Sequence, residues 1–502
     1  MDSRIAQALS KTRSIGFYPP ALRALTAACV LHGSCTPVLW IVQDSDEMYQ
    51  AQEDLLCFLR PDQVEIFPPY DVRPYQDDSP SREIMARRIS TLHRLLGGVP
   101  CVVVAPLQAT VSFTIGKADL EEAVLSLREG MDIDREELSA RLVHMGYTRE
   151  ALVDDVGQFS IRGSVVDIFS PGKETPVRLD MFGDSIQAMK SFDVRTQRSR
   201  TVVPSAHILP ADEVLLDYPH MKNARARLKR LPGGDTSLLV EDMEQGVYAP
   251  GIEAFLVLFS ERPATVWDYL GKDAVLMCPE PADTGQLWDE AYGLYRHGFE
   301  RARSRGRPAL PVEDVIMARE DLLARREAFS AWISTSLAGA KGTGPHTHLP
   351  FETRHGKGGD AVFEAVTSLV RDGLDVFIFT QTGMLFERIE YALSKRGLKP
   401  DTASGDFILE HGGWGARVRM VEGSLSSGFV LPDPGAVFIS ADEVLGPRKR
   451  KKKTLSGQPI FDPFTQLNVG DAVVHRDNGI GTFKGVVRLE LDGTASDYVL
   501  LE

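Results

Sequence analysis

A phosphate-binding site would be the clearest chemical signal in a chain of this length. Such a site needs a glycine-rich turn followed by lysine and then serine or threonine, so that the turn holds the phosphates and the hydroxyl binds Mg²⁺. Each Gly-Lys pair of the sequence lacks that hydroxyl, because Lys117, Lys173, Lys272 and Lys357 precede alanine, glutamate, aspartate and glycine. We therefore expect this chain to bind no nucleotide and to hydrolyse none.

Other groups that could do chemistry are isolated. His346 and His348 have metal-ligand side chains, but they lie in a Gly/Pro-rich stretch without neighbouring acids or thiols, so we expect no metal site. The pairs Asp154-Asp155 and Asp442-Glu443 are typical of solvated or helix-capping carboxylates. Five cysteines without a CxxC spacing indicate reduced thiols.

Charge and hydropathy exclude several classes of protein. The 502 residues carry 56 basic and 70 acidic side chains, a net charge of −14, which disfavours general nucleic-acid binding. No run of 18 apolar residues indicates a membrane span, and no basic-then-apolar start indicates a secretory signal. We expect a cytoplasmic location. The basic run at 448–453 is either a solvated linker or a weak DNA or RNA contact.

The elements that would position functional residues change character along the chain. Short apolar strands at 37–42, 64–67 and 101–105 alternate with helices at 45–58 and 83–96, which predicts a parallel α/β sheet. A helix at 135–145 precedes short alternating segments at 157–192, punctuated by glycine, which predict an antiparallel meander. Residues 318–338 have the pattern of one long helical stretch. Strands are predicted again at 376–380, 418–422 and 436–440.

Three groups of motifs, in this order, resemble one family, the bacterial transcription-repair coupling factors (Mfd). The first group is FPPYDVRPY at 67–75, SP at 79–80 and RRISTL at 87–92, which resembles the first UvrB-like domain. The second, GQFSIRG at 157–163 and VRLDMFGD at 177–184, is similar to the UvrA-binding domain of UvrB and Mfd. The third, GDAVVH at 470–475, NGIG at 478–481 and FKG at 483–485, resembles the CarD-like domain that binds RNA polymerase.

The resemblance implies an α/β multidomain fold. It comprises a degenerate UvrB-like parallel-sheet domain with an inserted antiparallel α+β domain, a second α/β domain and a truncated small β-barrel of the CarD/Tudor kind. The expected limits are 1–113 and 213–338 for the two parts of the UvrB-like domain, 114–212 for the inserted UvrA-binding domain, 339–350 for a linker, 351–445 for the second α/β domain, 446–462 for a basic linker and 463–502 for the truncated CarD-like domain. Because the sequence stops at YVLLE in mid-strand, we expect a piece of a longer protein.

The function implied is transcription-coupled DNA repair. The whole protein would push RNA polymerase stalled at DNA lesions by ATP-driven translocation on DNA, and it would recruit UvrA. ATP and Mg²⁺ would belong to a translocase that this chain lacks, and damaged DNA would be contacted through that translocase. In UvrB a phosphate loop lies near the position of residues 16–20, where this chain has GFYPP instead. Proline removes a backbone donor that a phosphate cradle needs.

Two arginines and an aromatic residue grip UvrA in the family. The matching positions are Arg162, Arg178 and Phe182. Arg162 and Arg178 lie on predicted neighbouring strands, where they can share a face, and arginine beside an aromatic ring is typical of binding hot spots. The alternative is that Phe182 belongs to the core and the arginines are only solvated.

In the family a leucine after the glycine run contacts the polymerase β subunit. Leu489 is the nearest match, with a place in the barrel core as the alternative. Two other functions stay open. One is a UvrB-like, ATP-dependent excision nuclease subunit, disfavoured by the missing phosphate loop. The other is a stand-alone CarD-like transcription regulator, disfavoured by the long region before that domain.

Overall fold

The structure is a computed structural model. It describes residues 15, 18–229, 231, 236–329, 331–335, 349, 359–380, 383–410, 415–431, 435–445, 472–475, 479–491 and 494–501, with backbone alone at 238, at 359–361, at 445 and over 472–501 except 481, 482 and 484. The chain divides into two units, Met1–Lys451 and Lys452–Glu502. Among the described residues no helix is long and apolar enough to cross a membrane.

The first part of the chain alternates helices and strands. In order they are α1 (Pro20–Ser34), β1 (Val38–Val42), α2 (Ser45–Leu55), a 3-10 turn (Pro61–Gln63), β2 (Val64–Ile66), α3 (Arg82–Leu96), β3 (Val102–Pro106), α4 (Leu107–Val111) and α5 (Lys117–Ala123). Local capping sets the helix starts. The carboxylate of Asp44 accepts from the Glu47 N–H at the start of α2, and Ser81 Oγ accepts from the Ile84 N–H at the start of α3.

Short strands dominate the next region. They are β4 (Leu125–Arg128), then α6 (Arg135–His144), β5 (Thr148–Arg149), β6 (Gln158–Arg162), β7 (Val165–Ile168), β8 (Val177–Phe182), β9 (Ser185–Phe192), β10 (Ser199–Val202) and β11 (Ser205–Ile208). Strands β5 to β10 form one six-stranded sheet in consecutive order, antiparallel except between β5 and β6. The predicted meander is confirmed.

Helices return after residue 217. The elements are α7 (Tyr218–Leu228), α8 (Ser237–Glu244), a 3-10 turn (Ile252–Phe255), α9 (Leu256–Phe259), α10 (Val266–Tyr269), β12 (Val275–Cys278), α11 (Pro281–Ser304), α12 (Val312–Val315), α13 (Arg319–Glu327) and β13 (Ala331–Ser334). The single helical stretch predicted for 318–338 is wrong. Helix α13 ends at Glu327, and β13 then pairs in parallel with β12 as the edge strand of the first sheet.

The first sheet has the order β13-β12-β1-β3-β2 and every pairing in it is parallel. Strands from before residue 107 and after residue 274 therefore build one sheet around the region that lies between them. Side chains of β1 alternate between two cores. Val38 and Trp40 pack with α1 and α2, whereas Leu39 and Ile41 pack on the side of α3.

A second α/β sheet follows. Its elements are α14 (Gly359–Arg371), β14 (Asp375–Thr380), α15 (Met384–Ser394), β15 (Asp401–Ala403), α16 (Gly405–Glu410), β16 (Val418–Glu422), β17 (Phe429–Leu431), β18 (Ala436–Ser440) and α17 (Ala441–Leu445). The order β15-β16-β14-β18-β17 is parallel except for the edge strand β17. A mixed α/β fold with several sheets, two of them largely parallel, is thus confirmed.

The C-terminal unit contributes an antiparallel sheet of β19 (Ala472–His475), β20 (Gly479–Leu491) and β21 (Thr494–Leu501). The truncated barrel expected there stays a prediction. The domain limits given above also stay predictions.

Candidate functional site

Two tight hairpins place Arg162 and Phe182 at the same end of the six-stranded sheet. Arg162 is the last residue of β6, and Phe182 is the last residue of β8. Each is followed by a two-residue turn that begins with a glycine of positive φ, 61° at Gly163 and 60° at Gly183. Because β6 and β8 are both antiparallel to β7, they run in the same direction, and their last residues lie at the same end of the sheet.

The strands of the two arginines are separated, not adjacent. Strand β7 lies between β6 and β8, so the prediction that Arg162 and Arg178 lie on neighbouring strands is wrong. The prediction that they share a face is confirmed, because both contact one side chain of β7. The predicted meander already contained the segment that forms β7, but the sequence did not show that a side chain of β7 joins the two arginines.

That joining side chain is Asp167, which is fully buried. Its carboxylate accepts from Arg162 Nη2 at 2.6 Å, from Arg178 Nε at 2.7 Å and from Arg178 Nη2 at 2.9 Å. Arg178 Nη1 also donates to the Gln197 carbonyl at 3.1 Å, and its guanidinium lies 4.5 Å from the Phe192 ring centre. Hydrogen bonding to Asp167 raises the pKa of the Arg178 guanidinium above its usual value.

Phe182 projects from the same face into solvent. Its exposed fraction is 78%, whereas Met181 beside it is buried in the core against α6. The alternative that Phe182 belongs to the core is therefore excluded. An exposed phenylalanine at the end of a strand leaves apolar area unburied, and this is typical of a contact surface.

Sequence reasoning did not find Asp167. The available signal was an aspartate inside the otherwise apolar run VVDIF of a predicted strand. A carboxylate at such a position is buried only with cationic partners, which would have directed attention to the arginines.

A second buried network joins the two main segments of the first motif group to Glu213. Arg88 of α3 is fully buried between the rings of Phe67 and Tyr70, and it forms an ion pair with Glu213. Arg88 Nη1 donates to the Pro68 carbonyl at 2.8 Å, while Glu213 also accepts from the Tyr70 hydroxyl at 3.1 Å. The FPPYDVRPY and RRISTL motifs therefore bind the segment that follows β11 through Glu213.

The start of α1 occupies the place where the resemblance expects the erased phosphate loop. Pro20 is its first residue and brings no backbone donor. The N–H groups of Leu22 and Arg23 both donate to the Pro19 carbonyl, at 3.0 and 3.1 Å. These two bonds close the first turn of the helix, and Arg23 Nε donates to the Tyr18 carbonyl at 3.0 Å.

Some predicted positions lie outside what the structure describes. His346, His348 and the basic run at 448–453 are outside the described residues. Leu489 is described by its backbone alone, which lies in β20 opposite Ser496 of β21. No group of three or more His, Cys, Asp or Glu side chains that could hold a metal occurs among the residues with described placement.

Comparison with known families gives two matches along the chain. The family model described as the UvrB interaction domain matches residues 125–214, which contain the Asp167 network and Phe182. The model described as the CarD-like/TRCF RID domain matches residues 467–502.

Curated relatives extend the likeness over nearly the whole chain. The transcription-repair-coupling factor of Myxococcus xanthus is 28% identical over 509 residues, covering 94% of this chain and 42% of its own length. Those of Staphylococcus aureus strains RF122 and USA300 are each 27% identical, covering 91% of this chain and 41% of their own length. The chain is similar to the N-terminal part of the transcription-repair-coupling factors. It spans about two fifths of the length of these relatives.

Proposed function

We propose that this chain is the part of a transcription-coupled DNA repair factor that binds UvrA and RNA polymerase. The observation that carries the proposal is the exposed Phe182 beside the arginines on Asp167, inside the region matched by the UvrB interaction domain. In the whole protein an ATP-driven motor would displace stalled polymerase from damaged DNA, and this chain would recruit UvrA. A cytoplasmic location is part of the proposal.

Binding of UvrA is tested with Phe182→Ala. An aromatic anchor at the centre of an interface contributes about 2 kcal/mol or more, so the Kd of the 502-residue chain for purified UvrA should rise at least about tenfold. Val202→Ala is the matched control, because Val202 is 63% exposed on β10 of the same sheet. The assignment fails if the folded wild-type chain does not bind UvrA, or if both variants bind alike.

Binding of the polymerase β subunit is assigned to residues 467–502, which match the CarD-like/TRCF RID domain. We place Leu489 in the contact and the strands in a small barrel. A version of the protein that continues past residue 502 should retain the β subunit in co-precipitation, and Leu489→Arg should abolish retention, because a buried charge adds a desolvation cost. Equal retention by both folded versions removes Leu489 from the site. If neither version retains the β subunit, the assignment of this partner to residues 467–502 is wrong.

The motor is assigned to the remainder of the whole protein, together with ATP and Mg²⁺. Pro20 at the start of α1, which brings no backbone donor, supports this division. The 502-residue chain should release phosphate from ATP at the rate of a buffer blank. Activity that persists through repeated purification would contradict the proposal.

Two other functions are weaker. A UvrB-like excision nuclease subunit needs the phosphate loop that this sequence lacks. A stand-alone CarD-like regulator does not account for the likeness to transcription-repair-coupling factors over 91–94% of the chain.

A further inference from the structure

Asp167 is an unusual residue for the outer face of a sheet. Side chains of β7 alternate, with Val166 and Ile168 packing into the core against α6. Asp167 points to the opposite face and is nevertheless fully buried, because the arginines cover it. A carboxylate buried there without cations would be strongly destabilising, so the two guanidinium groups and Asp167 form one unit.

The two arginines play unequal parts in that unit. Arg178 lies directly across from Asp167 in the register of β7 and β8 and binds both carboxylate oxygens. Its third nitrogen donates to Gln197, its plane covers Phe192, and its side chain is only 15% exposed. The orientation of Arg178 is therefore fixed by its contacts with Asp167, Gln197 and Phe192.

Among the described residues, Arg162 has a polar contact with Asp167 alone. A single nitrogen, Nη2, contacts Asp167, and the side chain is 41% exposed. Through the pairings Arg162↔Val165 and Val165↔Asp180, Arg162 lies level with Asp180. Along the strand direction it thus lies between the level of Arg178 and that of Phe182, with donors of its planar fork left for a partner.

The charge of the unit is small. Two arginines and one aspartate sum to +1, and the neighbouring pair of Lys190 and Asp180, 2.8 Å apart, adds nothing. The two arginines and Asp167 therefore carry a net charge of +1 on the face from which Phe182 projects.

We propose that Asp167 is a positioning residue that aims Arg162 at a single carboxylate of UvrA, beside an apolar contact made by Phe182. The proposal rests on the proposed function of the same surface. The surface of UvrA that fits this arrangement has one acidic side chain next to an apolar side chain. Two free arginines would instead select two acidic groups.

Asp167→Asn tests the role against simple electrostatics. If Asp167 only added negative charge, its removal would leave UvrA binding unchanged or make it tighter. If it positions Arg162, the Kd measured by biolayer interferometry should rise at least about tenfold, which is roughly 1.4 kcal/mol. Asp180→Asn is the control, because it removes one negative charge from the same face at a carboxylate that accepts its hydrogen bond from Lys190.

Action through Arg162 is tested by a double-mutant cycle. In an Arg162→Ala chain, Asp167→Asn should change the Kd less than about twofold, because the group to be positioned is gone. A tenfold effect in both backgrounds overturns the positioning role.

Folding is checked by circular dichroism. If Asp167→Asn does not fold, Asp167→Glu replaces it, since glutamate keeps the charge but displaces it by one methylene. Weaker UvrA binding by Asp167→Glu supports the proposal, and unchanged binding overturns it. Failure of the wild-type chain to bind UvrA overturns the proposed function as well, whereas unchanged binding by the Asp167 variants overturns the positioning role alone.

Discussion

Glu253 is a buried carboxyl in a cluster of acids. It accepts a hydrogen bond from Ser79 Oγ at 3.1 Å and is only 8% exposed. Burial, with the charge of Glu213 nearby, raises the pKa of Glu253 to about 7 from 4.5. Burial also raises the pKa of Asp212 well above its usual range. The folded chain therefore favours the protonated forms of these two groups.

This shift predicts a pH-dependent stability. The pKa of Glu253 is higher in the folded than in the unfolded chain. The stabilising contribution of this carboxyl to folding is therefore complete below about pH 4.5 and is lost as the pH rises through about 7. In Glu253→Gln the amide does not titrate, so the variant does not lose this stability as the pH rises. The Tm of the variant should equal that of the wild type near pH 5 and exceed it by at least about 2 °C at pH 8. A Tm difference that does not change with pH would contradict the shift.

At the scale of elements, α3 is fixed to the region after β11 by one ion pair. Arg88 occupies the buried side of α3, and Glu213 follows β11 at the exit of the six-stranded region. Thr114 Oγ1 donates to the same carboxylate at 2.6 Å. Segments distant in sequence meet at Glu213, so the loss of either charge leaves the other buried and uncompensated.

We expect Arg88→Ala to lower the free energy of unfolding by about 3–5 kcal/mol, the cost of leaving one partner of a buried ion pair unpaired. The matched control is Arg87→Ala on the same helix, because Arg87 is exposed. The control should change the free energy by less than about 0.5 kcal/mol. Urea denaturation followed by circular dichroism measures both, and similar values for the two variants would show that the ion pair adds no stability.

At the scale of the whole described chain, the first and second α/β sheets share a core. Phe58, which follows α2, packs edge-on against Phe379 and Phe438 with ring centres 5.6 and 6.4 Å apart. Asp54 is fully buried and accepts from the N–H and the hydroxyl of Ser426, each at 2.6 Å. The two sheets are therefore held together by both apolar and charged contacts.

Gly405→Ala tests this contact. A Cβ at Gly405 would lie 2.5 Å from the Cys57 carbonyl oxygen and 2.7 Å from Phe58 Cα, so the two sheets would have to separate. We expect faster hydrogen exchange in peptides covering 52–60 and 420–430, and a loss of about 1–3 kcal/mol of stability. Gly415→Ala is the control, because a Cβ there would meet open space. Equal exchange in both variants would mean that the contact tolerates a methyl group.

The sequence by itself determined the local structure and the family likeness. Apolar runs such as 37–42 predicted strands because a short apolar run is typical of a strand covered on both faces, and all five residues of β1 are buried. The meander followed from alternation and from glycines at the turns, whose positive φ other residues adopt with strain. The order of the three motif groups predicted the likeness to transcription-repair-coupling factors that the comparisons confirm. Arg162, Arg178 and Phe182 were found by that likeness.

Tertiary structure alone decided which distant residues meet. The segment at 331–334 has a composition that suits a helix or a strand, and only the free edge of β12 makes it a strand. The sequence predicted the meander, but only the register of β7 against β6 and β8 places Asp167 within reach of both arginines. The sequence likewise did not predict the ion pair between Arg88 and Glu213 or the hydrogen bond from Ser426 to Asp54. Such contacts span 125 and 372 residues of chain, and only packing of the folded sheets brings them within hydrogen-bonding distance.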